Sequence, residues 1–192
     1  MNAAAIRLYT AQDETVIATL KRDGVSFSKK DYVSRKYGQV APVFLAAYSW
    51  FAGEATRFVP RPAGAELHYW TFTSTDDFEI WNGSRLLTLD VPVSECIFFN
   101  VFDWNKILKL QYMGEDEQEE KHFREQLRDY GIKHDSDILL TNFYPELKHQ
   151  ITDSWQKLFR HHSAIAAGER PFTAIEAALW QIKAEWIGEV RD

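Results

Sequence analysis

The stretch FFNVFDWNKIL, residues 98–108, begins as an apolar run and ends mixed, with Asn100, Asp103 and Asn105 set around Trp104. Amide and carboxylate oxygens at the end of a strand can do two kinds of chemistry. They can accept backbone N–H groups as the cap of the next helix, or they can face a ligand where strand ends open into a cleft. Trp104, Ile107 and Leu108 recur at helical spacing. One of Asn100 and Asp103 is therefore expected to cap that helix, and the other to point into a cleft. Just upstream, Cys96 lies in an apolar run and reads as a buried, inert thiol. His161 and His162 are adjacent, so on a helix they point apart and form no metal pair. A place near a helix C-terminus is their expected role. Residues 114–121 are mostly acidic but include no turn residue that would gather carboxylates around a cation, so they read as a solvated helix face. No metal site is expected. No Ser-His-Asp elbow, phosphate-binding Walker loop, His-Glu-x-x-His pair or dinucleotide-binding glycine fingerprint appears. These absences argue against the common hydrolases, nucleotidases and Rossmann dehydrogenases.

These residues need a scaffold, and composition bounds it. The chain has 192 residues, 45% of them apolar and 15% aromatic, with seven Trp. That load belongs to a folded globule, and the length suits one domain over residues 1–192. The formal net charge of −6 disfavours binding along a stretch of nucleic acid, but leaves room for a local basic pocket for one phosphate-bearing ligand. One cysteine makes neither an internal disulfide nor a cysteine-based zinc site, and fits a reducing, cytoplasmic setting. No apolar run approaches the roughly 20 residues that span a bilayer, and the start MNAAAIRLYT has no basic n-region followed by a long apolar core.

The positioning elements follow from periodicity and punctuation. Residues 6–10 read as a strand, after which Asp13 caps a helix that Gly24 stops. A buried helix is expected from about Pro42 to Gly53. ELHYWTFTST reads as a strand with Trp70, Phe72 and Ser74 on one face and Tyr69, Thr71 and Thr73 on the other. Asn82-Gly83 predicts a hairpin between FEIW and RLLTLDVP, the second strand ending at Pro92. ECIFF reads as a further strand. A helix runs to Tyr130 and stops at Gly131. DSDILLTNFYPEL reads as one strand and then a turn around Pro145. Two terminal helices are expected to make the region of about 146–190 helical. The first carries Ile151, Trp155, Leu158 and Phe159. The second carries Phe172, Ile175, Leu179, Ile182, Trp186 and Val190, with Thr173 and Glu176 as a capping box. The fold class is α+β: a small mixed or antiparallel sheet, flanking helices and a helical C-terminal part.

Several of these segments together resemble one bacterial family. IRLYTAQ, LLTLDVP, the Asp103-Trp104 turn, DSWQKLF and IEAALWQIKAEWI occur in the order of the family known as domain of unknown function 3841. The resemblance covers most of the chain and implies a single compact bacterial domain with an intracellular role. The chain departs from the pattern where members carry Ser-Asp-Phe and it reads Phe99-Asn100-Val101, and where a Gln stands near Glu176.

More distantly, the strand pattern is similar to the front half of an ADP-ribosyltransferase-type domain, which binds NAD in a cleft between two small sheets. In one class of that fold an Arg comes from the first strand, Ser-Thr-Ser from a middle strand and a Glu from a late one. Arg7 and Thr73-Ser74-Thr75 match the first two. Glu95 stands for the third, without the usual companion acid or amide two residues before it. The likeness implies catalytic roles for Arg7, Ser74, Glu95 and Asp103. It also implies a cofactor site made by Arg7, Tyr9, Thr10, Tyr69, Trp70 and Thr73. An Arg fork suits the pyrophosphate, an aromatic face the nicotinamide, and a carboxylate the developing ribosyl cation. Each has a plainer role: a solvated edge-strand Arg, core aromatics, a turn cap at Thr73–Thr75, a solvated turn Glu. On this reading the chain is an NAD-dependent ADP-ribosyltransferase-like toxin or phage-defence factor. It modifies a macromolecular acceptor, protein or nucleic acid, and a cognate antitoxin is a further candidate partner. The alternative is a non-catalytic binding or regulatory module acting through an aromatic-rich surface.

Overall fold

Strand β1 (Ala5–Asp13) is longer than its apolar centre because it pairs along its whole length with β4 (Ser84–Pro92), from Ala5 opposite Pro92 to Asp13 opposite Ser84. The computed structural model describes residues 4–75, 83–169 and 173–191. Asp13 ends β1 and caps α1 (Glu14–Asp23) by accepting the Val16 N–H at 3.0 Å. Gly24, at φ 75°, takes the left-handed position that closes α1. Then come β2 (Val25–Phe27), α2 (Lys30–Tyr37) and α3 (Ala41–Ala55), the last with a proline in its first turn as expected. β3 (Tyr69–Phe72) precedes β4, and β5 (Ile97–Asn100) leads directly into α4 (Val101–Leu108). The helical layer continues with α5 (Glu117–Asp129), α6 (Asp135–Leu139), α7 (Pro145–Ser154), a 3₁₀ turn at Trp155–Phe159 and α8 (His162–Ala166). The chain then returns as β6 (Ile175–Leu179), β7 (Gln181–Lys183) and β8 (Ile187–Arg191).

The main sheet is antiparallel, in the order β5-β6-β3-β1-β4-β8, and β2 pairs with β7 in a smaller sheet. The α+β expectation therefore holds, with corrections in the C-terminal part. Among the described residues its last α-helix ends at Ala166, and the segment expected to form the last helix supplies three strands and a 3₁₀ turn at Ala184–Trp186. The apolar spacing there is helical, yet Ala177 and Leu179 enter one core and Ala178 the other. A strand covered on both faces shows no period-2 alternation, and only its pairing with β3 and β5 reveals it. Thr173 and Glu176 accordingly form no capping box. The strand expected near residues 135–147 is replaced by α6, and Pro145 begins α7 rather than making a turn. The FEIW strand of the expected hairpin lies outside the described residues, and β4 has β1 and β8 as its neighbours.

Strand alternation gives the main sheet two cores. On one face Leu8, Leu87, Leu89, Tyr69 and Phe98 pack with Ile17 and Leu20 of α1 and with Trp186. On the other, Ile97, Phe99, Ala178 and Trp180 meet the helical layer through Phe51, Trp104, Ile107 and Trp155. Phe51 is fully buried and touches the rings of His68, Trp70, Phe99, Trp104 and Phe159 at centroid separations of 4.9–5.6 Å.

Of the two candidate caps, Asn100 is the one used. Its side-chain oxygen accepts the N–H groups of Phe102 and Asp103 at 2.9 and 3.3 Å. Replacing Asn100 by Ala is expected to lower the unfolding free energy by about 1 kcal/mol, with Asn100→Asp retaining most of it. Urea titration checks this; equal stability of wild type and the Ala variant would remove the capping role.

Candidate functional site

Side chains opposite each other in an antiparallel ladder share a face. Tyr9 stands opposite Phe72 on one side and Thr88 on the other, and Phe72 in turn stands opposite Glu176, which stands opposite Phe99. Trp70 is two residues from Phe72 and shares this face. Tyr9, Trp70, Phe72 and Glu176 are therefore one row, each half-buried. The helical layer covers the β5-β6-β3 half of the face, while across β1, β4 and β8 it carries exposed Arg7, Asp90 and Glu189. The row crosses the margin between the two halves.

Glu176 is the unusual member. Its carboxyl has no hydrogen bond or ion pair among the described residues. Burial between Phe72 and Phe99 disfavours the charged form and pushes its pKa up to about 7. A carboxyl in this state can exchange a proton near neutrality, or ionise when a cation arrives beside it. Trp70 offers a fixed ring. It packs on Trp104, Phe51 and Tyr48 at centroid separations of 4.6, 5.0 and 5.3 Å.

The residues singled out in the sequence fare differently. Arg7 shares the face of the row, but its guanidinium forks onto the cross-strand carboxylate of Asp90 at 3.0 and 3.1 Å in an exposed position. Ser74 is exposed and leaves the β1–β3 ladder at the same end as Arg7. The Thr73 hydroxyl donates to the Ile175 carbonyl at 2.9 Å, which ties the end of β3 to β6. Thr10 is buried and donates to the Trp70 carbonyl, so it braces β1 against β3 rather than facing a ligand. Tyr69 is on the opposite face. Its hydroxyl is bonded to Ser26 at 2.7 Å, and burial pushes its pKa up to about 12.

The two candidate acids do not join Arg7. Glu95 is held by Lys183 and Gln181 of β7, at 3.3 and 3.4 Å. That is the layer on the Tyr69 face, behind the sheet as seen from Arg7. Asp103 does not point into a cleft: it pairs with Arg160 at 3.1 Å. Sequence reasoning missed Glu176 as a site residue because Thr173 and Glu176 matched a helix-cap pattern.

Two further side chains are structural. Cys96 is buried, and its thiol is pushed up to about 12, as an inert thiol should be. His162 sits near the N-terminal end of α8, not at a helix C-terminus. It accepts the Phe98 N–H on Nδ1 at 3.1 Å, which satisfies the outer edge of β5 and requires that nitrogen to be unprotonated. Burial lowers its pKa in the same sense.

A family model described as a domain of unknown function (DUF3841) matches residues 7–188. No curated protein and no solved structure matches the chain. No helix among the described residues is long and apolar enough to cross a membrane.

Glu176 has a thermodynamic signature. Its pKa is higher folded than unfolded, so the folded state binds the extra proton. The resulting stabilisation is complete below the unfolded pKa and is lost as pH rises through about 7. Relative to Glu176→Gln, the wild type is expected to lose on the order of 3 kcal/mol between pH 4 and pH 8. Denaturant titrations of both proteins across that range check it. A constant difference would make Glu176 an ordinary solvated carboxylate.

Proposed function

The chain belongs to the DUF3841 family, and we propose that it is an NAD-directed, ADP-ribosyltransferase-like protein whose carboxyl is Glu176 rather than Glu95. One observation carries this reading: an unpartnered, half-buried carboxyl on a late strand, in register with an aromatic row that continues onto the first strand. Nicotinamide in NAD is cationic, so its approach favours ionised Glu176 without any basic residue nearby. Cleavage of the ribosyl–nitrogen bond leaves neutral nicotinamide and moves the positive charge to the ribose. The carboxylate opposes that charge. The acceptor's attacking atom then bonds to the ribose carbon, and Glu176 takes the acceptor's proton. Tyr9 and Phe72 provide ring faces beside the acid. Arg7 can turn from Asp90 toward a pyrophosphate at little cost, because the pair is exposed. The acceptor is a protein or nucleic acid, and the setting is cytoplasmic, as for a toxin or defence factor.

A second reading is favoured by different observations. Arg7 is already occupied, and Phe102 and Phe143 are 68% and 70% exposed, as in a non-catalytic module that binds a partner through aromatics.

Labelled NAD incubated with a bacterial lysate separates the two. Label transfer is expected from the wild type, and a loss of about a hundredfold or more in Glu176→Gln. Glu95→Gln and Asp103→Asn should retain transfer. Full activity in Glu176→Gln would overturn the assignment, and absence of both NAD cleavage and transfer in wild type would leave the binding module.

A further inference from the structure

We propose a separate site: a basic cleft on the helical layer that takes the phosphates of a ribonucleotide. The cleft has a volume of ≈ 520 Å³ and lies between α5, the segment after it and the end of α4. Lys109, Arg124, Arg128 and Lys133 line it, over a floor of Leu127 and Ile132. None of its lining residues belongs to a strand, so it is not the Glu176 row. In a chain of net charge −6, such a gathering of like charge has a cost that a bound anion would remove.

The charges are free to be used. Lys109 and Lys133 form no ion pair among the described residues. Among the described residues Arg124 and Arg128 have only same-helix ion-pair partners, Glu120 at 3.8 Å and Glu125 at 3.5 Å, and both arginine side chains are more than half exposed. Such pairs contribute little and yield to a phosphate, which an Arg can grip with two N–H groups. The one carboxylate lining the cleft, Asp135, is already engaged, because it accepts the Tyr112 N–H at 2.7 Å.

The neighbouring cavity specifies what should be attached to the phosphates. It has a volume of ≈ 340 Å³, shares Ile132 and Lys133 with the cleft, and is lined by Asp137, Phe143 and Tyr144. Asp137 would repel phosphate but can accept hydrogen bonds from sugar hydroxyls. Phe143 and Tyr144 offer ring faces to a base. Phosphates at the cations, ribose at Asp137 and base at the aromatics describe a ribonucleoside diphosphate or triphosphate. The net charge of −6 disfavours a longer polyanion.

Calorimetric titration with ADP, pyrophosphate, adenosine and the single-stranded oligonucleotide (dT)12 tests this. ADP should bind at low salt, weakening as salt rises. Pyrophosphate should bind less tightly, and adenosine should not bind measurably. Lys109→Ala with Lys133→Ala should weaken ADP by about tenfold or more while far-UV circular dichroism is unchanged. Phe143→Ala should weaken ADP but not pyrophosphate. The double lysine variant should still transfer label from NAD, so failure here and failure of the transferase reading are distinguishable. No ADP binding, or ADP affinity indifferent to the double substitution, would overturn the site. Tighter binding of (dT)12 than of ADP would overturn the mononucleotide in favour of nucleic acid.

Discussion

The burial of Phe51 against the sheet is the contact on which the rest of the structure depends. A short, two-faced sheet cannot stand alone, and the helical layer has no continuous ladder to hold it. Phe51 joins them by inserting one ring among aromatic side chains of β3, β5, α4 and the 3₁₀ turn after α7. Edge-to-face contacts of this kind add to the apolar area removed from water. The same seam buries His68 without a hydrogen-bond partner among the described residues and holds its pKa down at about 3, so it stays neutral among Phe51, Trp70 and Trp180. Tolerance of an unsatisfied imidazole shows how strongly the surrounding rings fix the site.

Because the seam reaches only β5, β6 and β3, one face of the sheet has two characters. Its covered half is aromatic and dry. Its open half carries cross-strand charges such as Arg7 and Asp90, which satisfy each other in water and contribute little to stability. Glu176 stands where the two meet, dry enough for its proton to be retained and open enough for a ligand to reach. A carboxyl deeper in the seam would be inaccessible; one beside Arg7 would be ionised and paired.

The helical layer separates charge along its own length. α5 begins with Glu117, Glu119 and Glu120 and ends with Arg128, the order that its dipole favours. The acids at its start meet Lys106 and Lys157, and Glu119 accepts the Tyr112 hydroxyl. Among the described residues the bases at its end form ion pairs only within α5, and they face Lys109 and Lys133 across the cleft. A helix that reads as a plain solvated face thus divides into a structural acidic end and a basic end open to ligands.

Local chemistry in the sequence determined much of this. Asp13 and Gly24 bound α1, Pro92 ends β4, Gly131 follows α5, and the alternation in YWTF correctly assigns Trp70 and Tyr69 to opposite faces. Each depends on a residue's own capping or turn geometry, or on a period that is visible because the two faces differ. What tertiary structure alone decided is the state of Ile175–Arg191 and, with it, the site. Three strands replace the expected helix because β2, β3, β4 and β5 offer backbone that only a distant segment can satisfy. Glu176 acquires its chemistry from Phe72 and Phe99, neighbours that no local window contains, just as Glu95 and Asp103 are claimed by Lys183 and Arg160 from far along the chain. Side-chain type is written locally; desolvation and pairing are set by whatever the fold brings alongside.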